Sequence, residues 1–227
     1  MKTRLIAVFT VGLIVLTLSL CVVTSAPSSQ VRAQSRENNL ESRVERGFEI
    51  APVPLNLEGK DPALVGLGSY LVNATGGCND CHSAGPQTQF LPGGNPYFGQ
   101  AARINPATYL GGGRDFGPLL PTPGSPLIVS RNLTPDNTGL PAGGRSFDQF
   151  EQILRTGIDF DHLHPPCAAG QTTNCLPPPF DGNKLQVMLW PTYQNLTEHD
   201  IRAIFEYLRA VPCIAGPPAP NVLHNDC

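Results

Sequence analysis

The chain has 227 residues, enough for one ordinary domain or two small ones with a real buried core. It carries 15 Lys+Arg against 18 Asp+Glu, a net-acidic balance that argues against nucleic-acid binding. With 23 Gly and 24 Pro it is too rich in chain breakers for a regular bundle or sheet, and a loop-rich fold of this kind needs a ligand or cross-links to organise it.

Lys2 and Arg4 precede an apolar run from Leu5 to Val23, and small residues follow at Ser25 and Ala26. A charged start, an apolar stretch and a small-residue end read as a secretory signal over residues 1–33. Thr24-Ser25-Ala26 is one cleavage point, with Pro27 against it; Val31-Arg32-Ala33 before Gln34 fits better. Left uncut, the 19-residue run is long enough to span a bilayer as an N-terminal anchor. Leu18-Ser19-Leu20-Cys21 is a weak lipoprotein box, because Leu20 is too large for its position. Loss of residues 1–33 removes Lys2, Arg4 and Arg32 and leaves 12 basic against 18 acidic side chains, a balance of −6. Such a surface suits a partner with a basic docking patch. The protein is expected to be periplasmic or secreted, and at a membrane only if the N-terminal segment is retained.

Residues 34–60 are polar and then spaced by Pro52 and Pro54, and predict a tether and an extended lead-in. Asp61 and Pro62 read as N-cap and first residue of a helix running to about Asn73, with Leu64, Leu67 and Leu71 on one stripe. Gly66 and Gly68 are poor helix residues whose best use is close approach of another helix. The stretch Leu91–Leu127 is expected to wrap as loops, with one short hairpin around Thr108–Leu110 and Leu127–Ser130. Ser146 caps a helix over Phe147–Thr156 that stops at Gly157, and Phe147, Phe150, Ile153 and Leu154 form its buried face. Thr197 opens the last helix, with Asp200 as an imperfect capping-box partner and a stripe of Ile201, Ile204, Phe205 and Leu208 ending before Pro212.

Of seven cysteines, Cys21 is in the leader; Cys167, Cys175, Cys213 and Cys227 are an even number in an exported chain and suggest disulfides. Four cysteines allow three connectivities. Short loops favour Cys167–Cys175 and Cys213–Cys227, the second closing a C-terminal tail over residues 213–227.

The remaining pair carries the chemistry. Gly76-Gly77-Cys78-Asn79-Asp80-Cys81-His82 holds one Cys-x-x-Cys-His, the spacing at which two thiols add to the two vinyl groups of one porphyrin and the following imidazole lies under the iron. One motif implies one covalent haem c. A redox dithiol would want a preceding strand and a parallel-sheet pattern, and a zinc knuckle would want a second close pair; neither pattern is present. Apart from Met1 the only methionine is Met188, which reads either as a core filler or as the distal iron ligand, where its thioether raises the reduction potential. His162 and His164 are the rivals for that place, and His199 and His224 read as surface residues.

The order of helix, haem motif, Gly/Pro-rich middle, methionine and closing helix resembles a class I cytochrome c domain, a mainly α fold around one covalent haem. More closely, Tyr70-Leu71-Val72, Ser130-Arg131-Asn132-Leu133-Thr134-Pro135-Asp136 with Thr138-Gly139, and Met188-Leu189-Trp190-Pro191 before Leu196-Thr197-Glu198-His199-Asp200 resemble bacterial cytochrome c domains akin to the cytochrome subunits of membrane-bound alcohol dehydrogenases. The resemblance spans about residues 61–212, which bounds the expected haem domain. It implies that the first and last helices cross near Gly68, with Tyr70 and Tyr207 nearby. It also implies that the segment after Asn132 and the Met188 loop line the haem's distal side. Two features depart from it: one haem motif where those subunits usually bear three, and Leu189 where the family often has Pro. The expectation is a carrier of single electrons between redox proteins such as a dehydrogenase, an oxidase or another cytochrome, and not an enzyme. The alternative is a peroxidase-like haem enzyme or ligand sensor with an open or histidine-ligated distal side.

Overall fold

The computed structural model of the chain describes residues 28–227. The described residues fall into two units, 28–39 and 40–227. The apolar run Leu5–Val23 and the Thr24-Ser25-Ala26 cleavage point lie outside the described residues, and the alternative point after Ala33 falls within a helix. Among the described residues no helix is long and apolar enough to cross a membrane.

The expected tether over residues 34–60 is corrected. Helix α1 runs Ser28–Ile50, and only residues 51–60 are extended or turned. Leu40, Val44 and Gly47 recur at i, i+4 and i+7, a helical period that the surrounding charges obscure. Packing completes the case: a Cβ on Gly47 would lie 1.8 Å from the Gly66 carbonyl oxygen, so the two helices touch through their glycines. Ser69 Oγ donates to the Gly47 carbonyl at 2.7 Å. The lead-in is held too, since Val53 is buried and the Asn56 N–H donates to the Ala210 carbonyl at 2.8 Å.

Helix α2, Pro62–Tyr70, starts as expected: Asp61 Oδ1 accepts the Ala63 N–H at 2.9 Å. It continues as one widened π turn, Leu71–Thr75, in which the Gly76 N–H reaches back to the Leu71 carbonyl at 2.7 Å. Such turns recur next to functional sites, and here the Cys-x-x-Cys-His run follows directly. Gly68 faces the closing helix, where a Cβ would sit 1.9 Å from the Ala203 carbonyl oxygen.

Around that crossing Asn73, Tyr109 and Tyr207 close a ring of hydrogen bonds. The Tyr109 hydroxyl donates to Asn73 Oδ1 at 2.6 Å, the Tyr207 hydroxyl donates to Tyr109 at 2.7 Å, and Asn73 Nδ2 donates to Tyr207 at 3.1 Å. Every hydroxyl is satisfied, so two fully buried tyrosines are tolerated. Burial pushes both phenols upward, Tyr109 furthest, and takes half-buried Tyr193 to about 12. A folded-state value raised above the unfolded one gives stability that is complete below about pH 10 and is lost as pH rises toward the folded values. Stability, and with it the melting temperature, is therefore expected to fall as pH rises above about 10, each buried phenol costing at most about 1.4 kcal/mol per pH unit until its folded value is reached. A flat profile over that range would contradict the burial.

The two other capped helices match expectation. Ser146 and Gln149 form a full capping box before Phe147–Thr156, and Gly157 ends it in the left-handed region at φ 70°. Thr197 Oγ1 accepts the Asp200 N–H at 3.1 Å at the head of Glu198–Ala210. The two helices meet through Phe147 and Phe150 against Phe205, with ring centroids 5.5 and 5.6 Å apart. Among the described residues the fold is mostly helical with one two-stranded antiparallel sheet.

That sheet corrects half of the hairpin. Leu127–Val129 is a strand, but its partner is Asp115–Pro118 and not Thr108–Leu110. Residues 108–110 turn instead, with Leu110 at φ 59°. The turn aims the Leu110 N–H at Asn79 Oδ1, 2.9 Å away between Cys78 and Cys81.

Both short-loop disulfides are present, Cys167–Cys175 and Cys213–Cys227. Residues 213–227 are more than a tail. Asn132 Nδ2 donates to the Ile214 carbonyl at 2.7 Å, Thr134 Oγ1 accepts the Ile214 N–H at 3.0 Å, and buried Asn225 donates to Thr134. His199 is exposed as expected, but His224 is half-buried, its Nδ1 paired with the Pro217 carbonyl at 2.9 Å.

Candidate functional site

Cys78–Cys81 form a single helical turn behind Gly77, whose φ of 56° suits glycine, and the His82 N–H donates to the Cys78 carbonyl at 2.8 Å. One turn places positions i, i+3 and i+4 on one face, which is why this spacing gathers two sulfurs and an imidazole. The intervening residues are tied to other elements: Asn79 Oδ1 holds Leu110, Asp80 Oδ1 accepts Gln89 Nε2 at 2.5 Å, and the Asp80 carbonyl accepts from Arg114.

The face opens on a cavity of about 350 Å³, within the range of cofactor sites. Cys78, Cys81 and His82 line it together with Met188, over one hundred residues away. Its apolar walls come from Val72, Leu133, Phe150, Leu154, Ile158 and Leu208. Tyr193 also lines it, with the hydroxyl donating to the Gly76 carbonyl at 3.2 Å.

His82 Nδ1 lies 2.8 Å from the Arg131 carbonyl, which can only accept, so Nδ1 carries the hydrogen and Nε2 is left with its lone pair. Burial lowers the imidazole's pKa against the opposing pull of that carbonyl, which favours the neutral form that binds iron. The Arg131 side chain reaches Asp161 Oδ2 at 3.1 Å and Asp159 Oδ1 at 3.6 Å, and Arg145 pairs with Asp161, building one charged wall. Sequence reasoning missed this wall; alternation of acids in Ile158-Asp159-Phe160-Asp161 was its one trace.

Among the described cysteines only Cys78 and Cys81 are free. Burial, reinforced by the neighbouring Cys81, pushes the Cys78 thiol up to about 12. A redox dithiol needs the reverse, a thiol made acidic. No group of three or more His, Cys, Asp and Glu suited to a metal ion occurs among the described residues.

Met188 reaches the cavity on a strained loop. Val187 stands at φ 69° while the Met188 N–H donates to the Gln186 carbonyl at 2.8 Å, a three-residue γ-turn. A β-branched residue there costs on the order of 1–3 kcal/mol and persists only where its surroundings hold it. Of the rival histidines, His164 lines the cavity but its Nε2 is bonded to the Leu127 carbonyl at 2.9 Å. His162 is not among the lining residues. The segment expected on the distal side contributes Leu133 to the wall, whereas Asn132 and Thr134 turn to residues 213–227 and Arg131 serves His82.

The donor set fits haem c: two free thiols one turn apart, a neutral imidazole with one nitrogen fixed, and a thioether in the same apolar cavity. No family model, no curated protein and no solved structure matches the chain.

Proposed function

We propose that the chain is an exported monohaem c-type cytochrome, of the class I-like type, that carries single electrons between redox proteins. One observation carries the reading: Cys78, Cys81, His82 and Met188 line a single apolar cavity. Haem bound there supplies a one-electron iron couple. Cys78 and Cys81 would hold that group covalently through their two sulfurs. His82 offers Nε2 as proximal ligand, and its Nδ1–H bond to the Arg131 carbonyl sets ring orientation and tautomer. Met188 would offer the iron a soft thioether, a donor that favours the reduced state. The apolar walls keep water away, and a low dielectric disfavours the more highly charged oxidised state. The two disulfides suit an oxidising compartment. The acidic mature chain suits a partner with a basic patch.

The ferric absorption spectrum of the purified protein is the test. A weak far-red methionine–iron band is expected in the wild type and should vanish in Met188→Ala, with a fall in reduction potential. A high-spin wild-type spectrum with rapid binding of cyanide or carbon monoxide would refute the carrier.

A further inference from the structure

We propose that Trp190 is a positioning residue that keeps Met188 in the cavity by bracketing its loop against the C-terminal cap of the helix Phe147–Thr156. The inference rests on Met188 as distal ligand. The loop Leu185–Trp190 is tied at both ends to one place. The Leu185 N–H donates to the Gly157 carbonyl at 2.7 Å, and the Leu185 carbonyl accepts the Trp190 indole N–H at 3.1 Å. The indole lies directly on Gly157, where a Cβ would come within 2.3–2.4 Å of three ring atoms. Gly157 thus has two reasons to be glycine: its left-handed φ of 70° and the ring seated on it. Lys184 covers the ring, its Nζ 5.9 Å from the centroid and donating to the Thr156 carbonyl at 2.8 Å.

The helix that carries this bracket is itself fixed in the core through Phe150 and Leu154. Met188 is therefore referred to a rigid element across a closed chain of contacts. Within the bracket the backbone is strained at Val187, so it does not hold its shape unaided. Releasing Trp190 lets the turn relax and carries the Met188 sulfur out of place.

Three variants of the haem-bearing protein test this: Trp190→Phe, which keeps a ring but loses the N–H; Trp190→Ala; and Gly157→Ala, which pushes the ring away from the other side. For each, the far-red band, the rate of imidazole uptake by the ferric protein, and the melting temperature are measured. Trp190→Phe is expected to take up imidazole about fivefold faster, as suits loss of one hydrogen bond. Trp190→Ala and Gly157→Ala should do so roughly tenfold faster or more, with a weakened band. Tyr207→Phe, which disturbs the core away from this loop, should lower the melting temperature and leave the uptake rate unchanged. Variants of Trp190 and Gly157 that melt earlier but keep the wild-type band and rate would overturn the proposal while sparing the carrier reading. Absence of the band from the wild type would overturn both. If Trp190→Ala fails to fold, Trp190→Phe decides.

Discussion

Gly68→Ala is expected to destabilise the protein by about 1–3 kcal/mol, although alanine is the better helix former by about 1 kcal/mol. The added methyl would stand 1.9 Å from the Ala203 carbonyl oxygen and 2.7 Å from Tyr207 Cβ. A backbone carbonyl cannot rotate aside as a side chain does, so the two helices must part. Parting them also strains the hydrogen-bonded ring of Asn73, Tyr109 and Tyr207, whose members belong to both sides of the crossing. The measurement is a denaturant midpoint with an unchanged slope. Gly59→Ala serves as control: φ there is also positive, at 67°, but nothing lies within 4 Å, so only backbone strain of about 1 kcal/mol is expected. A Gly68→Ala protein as stable as the wild type would mean that the crossing is wider than described.

Replacing both Cys78 and Cys81 by alanine should abolish covalent haem altogether, in a host competent for haem attachment. On a denaturing gel the wild type should retain haem staining and the double variant none, and intact mass should differ by one haem. Each single variant keeps one sulfur on the cavity face and should keep one thioether. Cys78 is half-buried and Cys81 exposed, yet both line the cavity, so neither is dispensable on grounds of access. The same experiment separates the readings. A wild type that carries no haem but is lighter by two hydrogens, with Cys78 linked to Cys81, would be a redox dithiol.

Local features were legible in the chain itself. Asp61, Ser146 and Thr197 cap their helices because a short polar side chain meets a backbone N–H two or three residues on, and that geometry needs no other part of the protein. The short-loop disulfides belong to the same class, since Cys167 and Cys213 pair with partners 8 and 14 residues away. The gathering of Cys78, Cys81 and His82 is likewise a property of one helical turn.

What failed was decided by distant partners. Residues 34–50 read as a tether because their apolar period is sparse; they are helical, with Gly47 fitting Gly66 and Ser69 reaching the Gly47 carbonyl. Thr108–Leu110 has strand-forming residues, yet turns so that Leu110 serves Asn79, leaving Asp115–Pro118 to pair with Leu127–Val129. By itself, then, the sequence determined the Cys-x-x-Cys-His turn and the helix caps. Only the tertiary structure brought Met188 to that turn, set the Arg131 carbonyl on His82, and seated Trp190 on Gly157. The reason is the range of the forces. A cap or a turn is settled within four residues, whereas a cavity exists only once chain segments far apart in sequence have packed around it.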